Sequence, residues 1–176
     1  MRIILGLCLL IGSTVMGGET QRTESSGLRF TIPATWTRVP AASEMRAAQF
    51  RVPKVGDAEE GELVLFFFGE GKGGGAQENI DRWIAQVTQP DGKASKDRAV
   101  TTNRTVNDIK QTIVDVSGTY AGMGPGAQPK PGFRLLGAVL EGKGGPWFFR
   151  LTGPQATVDA AKPGFDALLQ SIEAHH

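Results

Sequence analysis

A run of six apolar residues in the middle of the chain, Leu63-Val64-Leu65-Phe66-Phe67-Phe68, is the feature that most constrains its fold. A β-strand alternates its side chains between two faces, so a continuous apolar run places apolar side chains on both faces of its sheet. Both faces must then be covered by other parts of the protein, which is typical of a central strand. The run therefore predicts a sheet with structure packed on each side.

Two segments of the chain could form amphipathic helices that cover such a sheet. In both, apolar residues recur at i, i+3, i+4 and i+7, the spacing that places side chains on one helix face. These residues are Ile80, Trp83, Ile84 and Val87 in the first segment, and Phe165, Leu168, Leu169 and Ile172 in the second. Proline removes a backbone donor, so we expect Pro163 to split the second segment into a short first turn and a main helix.

The strands are predicted from alternation and from β-branched residues. Apolar and polar residues alternate over 28–32, and Pro33 ends that strand. Further strands are predicted over 45–52, 63–68, 99–105, 111–120, 133–140 and 147–151. The element order βββαββββα, with short turns between adjacent strands, predicts an α+β fold. We expect a mainly antiparallel sheet of about six to seven strands, flanked by helices, in a single domain over 28–174.

The first 17 residues have the pattern of a secretory signal peptide. Met1-Arg2 is a positive start, an apolar run follows to Met16, and Val15-Met16-Gly17 offers a small residue for cleavage. The run is shorter than the roughly 20 residues that span a bilayer, so we expect an exported protein without a stable membrane span after cleavage. Residues 18–27 would be a flexible tether. Retention of the leader as an anchor and lipidation at Cys8 are alternatives, and the large Leu7 disfavours the second.

The opening strand Leu28-Arg29-Phe30-Thr31-Ile32-Pro33 with Trp36, the element order, and the closing helix from Phe165 to Ile172 resemble the PsbP-like fold superfamily. That superfamily includes the photosystem extrinsic subunit, the Ran-binding Mog proteins and bacterial envelope proteins of the DcrB type. The resemblance covers nearly the whole chain after the leader. It implies an α-β-α sandwich and a largely non-catalytic binding or assembly role, and it transfers no site residues.

The scarcity of reactive side chains excludes several chemistries. Cys8 is the only cysteine, so cleavage of the leader would remove disulfides, thiolate nucleophiles and cysteine-ligated zinc. His175 and His176 are the only histidines, so Ser–His hydrolysis and histidine-based metal or haem sites have no ligand in the folded body. The formal net charge of +1 gives no basic field for nucleic acid. We expect no enzyme and no cofactor.

A glycine-rich stretch, Gly69-Glu70-Gly71-Lys72-Gly73-Gly74, matches the G-x-G-x-x-G pattern of dinucleotide-binding proteins. That pattern belongs early in a βαβ unit of a parallel sheet, whereas three strands predicted to be antiparallel precede it here. The Walker A spacing is also absent. Two interpretations remain open. Backbone N–H groups and Lys72 could hold a small anion at the start of the helix, or the glycines could only satisfy turn geometry.

A second loop rich in glycine and proline covers residues 121–132 and is long for a connection within a compact domain. This loop and the one at 69–75 could form one partner surface at one end of the sheet. Each carries a lysine, Lys72 and Lys130, which would suit an acidic partner. The sequence therefore favours an exported, non-catalytic binding or assembly module whose partner is another envelope protein.

Aromatic residues suggest further contacts and an alternative function. Trp36 and Tyr120 lie near loop ends, where an aromatic side chain can anchor a partner. The alternative is a small-molecule carrier with an apolar pocket between sheet and helix, lined by Trp83, Phe67 and Phe149.

Acidic residues provide a third alternative, a carboxylate-based hydrolase. The acidic turn comprises Asp57, Glu59, Glu60 and Glu62, and the scattered acids comprise Asp108, Asp115 and Glu141. The turn could hold calcium weakly, although it lacks EF-hand spacing and charge runs usually mark solvated surface. A glycosidase needs two facing carboxylates, and nothing in the spacing brings two of the scattered acids together.

Overall fold

The computed structural model describes residues 18–122 and 126–175, so the predicted signal peptide lies outside the described residues. Five strands precede the first helix: β1 (Thr20–Ser25), β2 (Leu28–Pro33), β3 (Thr37–Val39), β4 (Arg46–Val52) and β5 (Gly61–Phe66). Helix α1 (Ala76–Ile84), β6 (Val87–Thr88) and a 3₁₀ turn (Ser95–Asp97) follow. The chain continues with β7 (Val100–Val106), β8 (Ile109–Tyr120), β9 (Lys130–Glu141), β10 (Trp147–Pro154), α2 (Gln155–Gln170) and β11 (Glu173–Ala174).

The described strands form two sheets, and every pairing between them is antiparallel. The small sheet has the order β1-β2-β11. The large sheet has the order β3-β4-β5-β10-β9-β8-β6, and β7 also pairs with β8. The predicted α+β class and antiparallel pairing are confirmed. The strands that the sequence did not predict include β3, β6 and β11, which are two or three residues long and too short to show a period.

The two helices lie on opposite faces of the large sheet. Helix α1 packs on β8 and β9, and Ile80 and Trp83 lie in one buried cluster with Val139. Helix α2 and the small sheet cover the other face, where Phe165 shares a second buried cluster with Leu136. Burial of apolar surface at roughly 25 cal/mol per Å² stabilises both interfaces. The α-β-α layering is therefore as the resemblance implied.

The apolar run at 63–68 forms the predicted central strand, because β5 lies between β4 and β10. Leu63 and Leu65 belong to the buried cluster under α2, while Val64 points to the opposite face and is also buried. The strand ends before the last two phenylalanines of the run, and Phe68 is 41% exposed. Coverage of both faces explains why polar residues are absent from the run.

The segment predicted as a flexible tether contains a strand instead. All six residues of β1 pair with β2, from Thr20 opposite Pro33 to Ser25 opposite Leu28. The sequence of β1 shows no apolar period because most of its side chains are exposed. Backbone hydrogen bonds to β2, rather than burial of side chains, hold this strand.

Helix α2 also differs from the prediction, since it runs unbroken from Gln155 to Gln170 with Pro163 inside it. Proline at this position lacks the N–H that would bond to the carbonyl of Asp159. Phe165 and Leu168, both buried under the helix, anchor the turns that follow. Tertiary packing therefore overrides the local preference for a break, as is common for helices in folded proteins.

Candidate functional site

A groove runs along the protein surface between α2 and the strands β7 and β8. It consists of two adjoining cavities of about 450 Å³ each, which share Val100 and Asp115 in their walls. Residues lining the first cavity include Val100, Thr102 and Arg104 from β7, and Lys162, Phe165 and Gln170 from α2. We call this feature the α2–β7 groove. Its cavities have the size of ordinary ligand sites, which span about 300–1,000 Å³.

Arg104 lines the groove and is hydrogen-bonded to a buried side chain of the protein interior. Its Nε donates to Oε1 of Gln111 at 2.9 Å, and Nε2 of Gln111 donates to the carbonyl of Leu169 at 2.7 Å. Gln111 has no exposed surface, so it fixes the arginine against the end of α2. The Nη2 atom of Arg104 is buried and has no hydrogen-bond partner among the described residues. Such a donor is costly, and an acceptor on a molecule bound in the groove would satisfy it.

In the second cavity, Arg134 forms ion pairs with two carboxylates. Its Nε and Nη2 donate to the two carboxylate oxygens of Asp115 at 2.9 and 2.5 Å, and its Nη1 donates to Oδ1 of Asp159 at 2.5 Å. The hydrogen bonds to Asp115 raise the pKa of Arg134 above its usual range, against a smaller opposing effect of burial. Both carboxylates are therefore acceptors in an ion-pair network whose cation stays protonated.

Arg150 is a buried arginine on the α1 side of the large sheet and is 3% exposed, whereas Arg104 and Arg134 are half-buried. Its guanidinium carbon lies 5.3 Å from the ring centroid of Phe66, and its Nη1 lies 3.5 Å from Oε1 of Gln86. Burial lowers the pKa of Arg150. These contacts assign Arg150 to the packing on the α1 side, so it does not belong to the groove.

Comparison with known proteins identifies the architecture and not an activity. No protein-family model matches the sequence, and no curated protein matches it. The solution structure of cyanobacterial PsbP (CyanoP) from Synechocystis sp. PCC 6803 is 19% identical, with a TM-score of 0.56 over 97% of this chain and 99% of that one. The chain has a PsbP-like fold. A crystal structure of a protein of unknown function from Pseudomonas aeruginosa is 13% identical, with a TM-score of 0.48 over 87% of this chain and 95% of that one.

The PsbP-like fold places the two glycine-rich loops at opposite ends of the large sheet. Strand β5 runs into the loop at 69–75, where the N–H of Gly71 donates to the carbonyl of Gly145 in the β9–β10 turn at 2.8 Å. The loop at 121–132, described except for residues 123–125, joins β8 to β9 at the end where β10 finishes. The structure therefore contradicts the expectation that both loops form one surface.

The first loop is explained by its own geometry and packing. The φ angles of Gly69, Gly71, Gly73 and Gly74 are all positive, a conformation that glycine adopts without strain. A Cβ on Gly73 would lie 2.6 Å from the ring of Phe148. Glu78 in the first turn of α1 places a negative charge beside the helix N-terminus, where an anion held by Lys72 would bind. These contacts favour the turn interpretation over the anion site.

The other predicted contact residues are engaged within the protein. Nζ of Lys130 lies 2.6 Å from a carboxylate oxygen of Glu59 and 5.2 Å from the ring centroid of Phe133. Tyr120 is 8% exposed and stacks on Phe133, while Trp36 is 3% exposed and belongs to the buried cluster under α2. The two aromatic residues predicted as partner contacts are therefore core residues.

The three aromatic residues expected to line a carrier pocket do not share a face of the sheet. Trp83 lies in the cluster under α1, whereas Phe149 and Phe67 belong to the cluster under α2. The large sheet separates them, so they cannot line one pocket. The α2–β7 groove is one space between sheet and helix that a carrier could use, with different lining residues. A second cavity of about 530 Å³ lies between the small sheet and α2.

The acidic turn faces basic residues rather than a metal site. The ion pairs join Glu59 to Lys130, Glu60 to Arg51 and Glu62 to Arg46. Across residues 18–122 and 126–175, no three or more histidine, cysteine, aspartate or glutamate residues are grouped so that they could hold a metal ion. Neither α1 nor α2 has the length and apolar character needed to span a bilayer.

The groove residues Arg104, Gln111 and Arg134 were not predicted from the sequence. One signal was present for Gln111, because it shares a strand face with Ile109 and Ile113, both apolar. A polar residue inside such a stripe is a candidate for a buried hydrogen bond. Arg104 and Arg134 carry no comparable local signal, since their partners come from other elements.

Proposed function

We propose that this chain is an exported, non-catalytic binding or assembly module of the cell envelope, and that its partner binds in the α2–β7 groove. The buried Nη2 of Arg104, a donor with no partner among the described residues, is the observation that carries the proposal. A bound acceptor would convert an unfavourable buried group into a charge-assisted hydrogen bond. The PsbP-like fold supports the proposal, because the resemblance implies a binding or assembly role.

The charges around the groove indicate what the partner offers. Arg134 is bound to Asp115 and Asp159, and Nζ of Lys162 lies 2.6 Å from Asp166. Each of these charged groups already has an ion-pair partner within the protein, although the Arg134 network keeps one excess negative charge because its single cation meets two carboxylates. The guanidinium of Arg104 is therefore the group that we assign to recognition of the partner. We infer a protein segment with a carboxylate or backbone carbonyl that reaches Arg104, beside apolar groups that contact the exposed Val100 and the half-buried Ile113 of the groove. Another envelope protein would be its source, given the predicted leader.

Site-specific photo-crosslinking tests the proposal. Benzoylphenylalanine is introduced at Gln170, an exposed position on the groove wall, in the affinity-tagged full-length chain. A matched chain carries it at Met45, which is 59% exposed and lies outside the groove. After illumination of the native cells, adducts from the envelope fraction are identified by mass spectrometry. One abundant protein adduct that is specific to Gln170 and weakened by Arg104→Met is expected. Identical adducts at both positions, or none at Gln170, would contradict the proposal.

The size of the cavities favours a second candidate, a carrier of a small acidic molecule. Each cavity, at about 450 Å³, is large enough for a ligand by itself, and Arg104 would pair with the acid group. Solvent extraction of the folded protein, followed by mass spectrometry, should then release one compound in stoichiometric amount. Extracts of the Arg104→Met protein should lack it. Protein that is empty in repeated preparations would count against the carrier.

A further inference from the structure

Strand β7 forms a free edge of the large sheet. Its seven residues pair with β8, from Val100 opposite Asp115 to Val106 opposite Ile109, and no other described strand pairs with it. Five of the seven residues are exposed, and Val100 is 60% exposed. An edge strand presents a row of backbone N–H and C=O groups that can pair with another strand.

The edge of β7 lacks most of the features that usually prevent pairing. Natural edge strands are commonly protected by charged side chains, by proline, by bulges or by short length. Of these, β7 has one charged side chain, Arg104, whose Nε bonds to Gln111 within the protein. The sequence Val100-Thr101-Thr102-Asn103-Arg104-Thr105-Val106 contains neither lysine nor proline, and its register with β8 is unbroken. Five of its residues are valine or threonine, which favour strands. This strand is therefore suited to accept a further strand.

The 3₁₀ turn that precedes β7 is held against α1. Ser95 is 8% exposed and donates from Oγ to the carbonyl of Val87 at 2.5 Å, while Nζ of Lys96 lies 3.7 Å from Asp81 on α1. None of these contacts involves a residue of β7, and five of the seven residues of β7 are exposed.

The remaining edges are short or engaged. Strand β3, at the other end of the large sheet, has three residues. In the small sheet, the side chains of Gln21 and Ser25 in β1 donate to the carbonyls of Trp36 and Ala47 at 2.7 and 3.1 Å. Strand β1 therefore lies against other segments of the same protein. Within the described residues, β7 is therefore the long edge available to a second chain.

We propose that β7 pairs antiparallel with β7 of a second copy of this chain, about a twofold axis at Asn103. This register pairs Val100 with Val106, Thr101 with Thr105, and Thr102 with Arg104. Every residue of the strand finds a partner, apolar residues meet apolar residues, and no like charges are opposite each other. A register centred on Arg104 would instead place two guanidinium groups opposite each other, which is unfavourable.

The pairing would extend the large sheet across both copies as a closed, isologous interface. A twofold axis perpendicular to the sheet keeps α2 of both copies on the same side. The two α2–β7 grooves would then lie next to each other across the axis, with Thr102 of each copy opposite Arg104 of the other. The inference does not depend on the proposed function, because the dimer needs no other protein.

Disulfide trapping tests both the dimer and its register. All variants carry Cys8→Ser in the full chain, so each has only the introduced thiol. Asn103→Cys places two thiols on the twofold axis, where cross-strand Cα atoms about 4.5–5.5 Å apart permit a disulfide. Thr101→Cys is the matched control, because its thiol faces Thr105 of the second copy. The two introduced thiols are then separated by four residues along the strand. Thr101→Cys/Thr105→Cys restores two facing pairs.

Mild oxidation is expected to give a reducible dimer with Asn103→Cys and with the double variant, but not with Thr101→Cys. Equal trapping of both single variants would overturn the register, and no trapping of Asn103→Cys would overturn the interface. Sedimentation velocity provides a thiol-free measurement. The unmodified chain should dimerise, with a Kd raised on the order of 2- to 30-fold by Thr102→Lys and lowered by Thr102→Glu. A chain that is monomeric at every soluble concentration contradicts the proposed dimer. This result is independent of the photo-crosslinking experiment, which tests the proposed function.

Discussion

Gln111 and Leu169 connect the large sheet to the end of α2 through one buried hydrogen bond. The side-chain Nε2 of Gln111 donates to the backbone carbonyl of Leu169 at 2.7 Å, although 58 residues separate them in sequence. The same side chain accepts a hydrogen bond from Arg104 at 2.9 Å. A single amide therefore sets the position of α2 and of the arginine that we assign to partner recognition.

Replacing Gln111 by methionine is expected to lower the free energy of unfolding by about 1–3 kcal/mol, because it leaves the carbonyl of Leu169 and Nε of Arg104 unpaired. Urea denaturation provides the measurement. Gln77→Met is the control, since Gln77 is exposed and its side chain donates to Asp81 on the same helix. That change should shift stability by no more than about 0.5 kcal/mol. Equal effects of the two changes would show that the buried amide is not structural.

The ion-pair network of Arg134 should depend on the shape of the guanidinium and not only on its charge. Arg134→Lys keeps the charge but cannot bond to both oxygens of Asp115 in parallel, so we expect a loss of about 1–3 kcal/mol of stability. Lys130→Met breaks the pair with Glu59, which is exposed, and should cost at most about 1 kcal/mol. Thermal and urea unfolding of both variants test this difference. A lysine that fully replaces Arg134 would contradict it.

Close packing of α1 on the sheet should make Gly137 intolerant of any side chain. A Cβ at Gly137 would overlap the ring of Trp83, so Gly137→Ala is expected to cost about 1–3 kcal/mol through overpacking. Near-ultraviolet circular dichroism should report the displaced tryptophan. The control is Gly75→Ala, where no atom lies within 4 Å of the added Cβ. Gly75 is the N-cap residue before α1, and its replacement by alanine should cost less than about 1 kcal/mol.

The unbroken helix α2 leads to a prediction about its internal proline. Pro163→Ala restores the donor for the carbonyl of Asp159 and removes the clash of the ring, whose cost inside a helix is about 3 kcal/mol. We expect the variant to be more stable by about 1–3 kcal/mol, since Pro163 is exposed and little packing is lost. Calorimetry would show the rise in melting temperature. A fall would mean that contacts of the proline ring stabilise α2.

Local patterns were sufficient to predict the class of fold. The apolar run at 63–68 indicated a central strand covered on both faces, and the spacing of Ile80 and Trp83 indicated a helix that packs on the sheet. Such patterns show only which side chains of a single helix or strand are buried. They cannot reveal β1, where exposed polar residues are held by backbone pairing, nor the continuity of α2 through Pro163, which depends on packing against distant residues.

The candidate site was not predictable by the same means. The sequence suggested that the glycines around Lys72 and aromatic residues near loop ends, such as Trp36, contact a partner. In the structure, the glycines form a turn and Trp36 packs in the core. The groove depends on β7 and α2, which are far apart in sequence, and on the contact between Gln111 and Leu169. Long-range contacts of this kind have no periodic signature, so only the folded arrangement reveals them.

The position of β1 has a consequence for how the domain would sit if the predicted leader stays in the membrane. Only Gly18 and Glu19 separate residue 17 from the first residue of β1. Two extended residues reach about 7 Å at most. A retained leader would therefore keep the start of the small sheet within about 7 Å of residue 17, and so close to the lipid surface. A cleaved leader would release the same body to diffuse and turn freely.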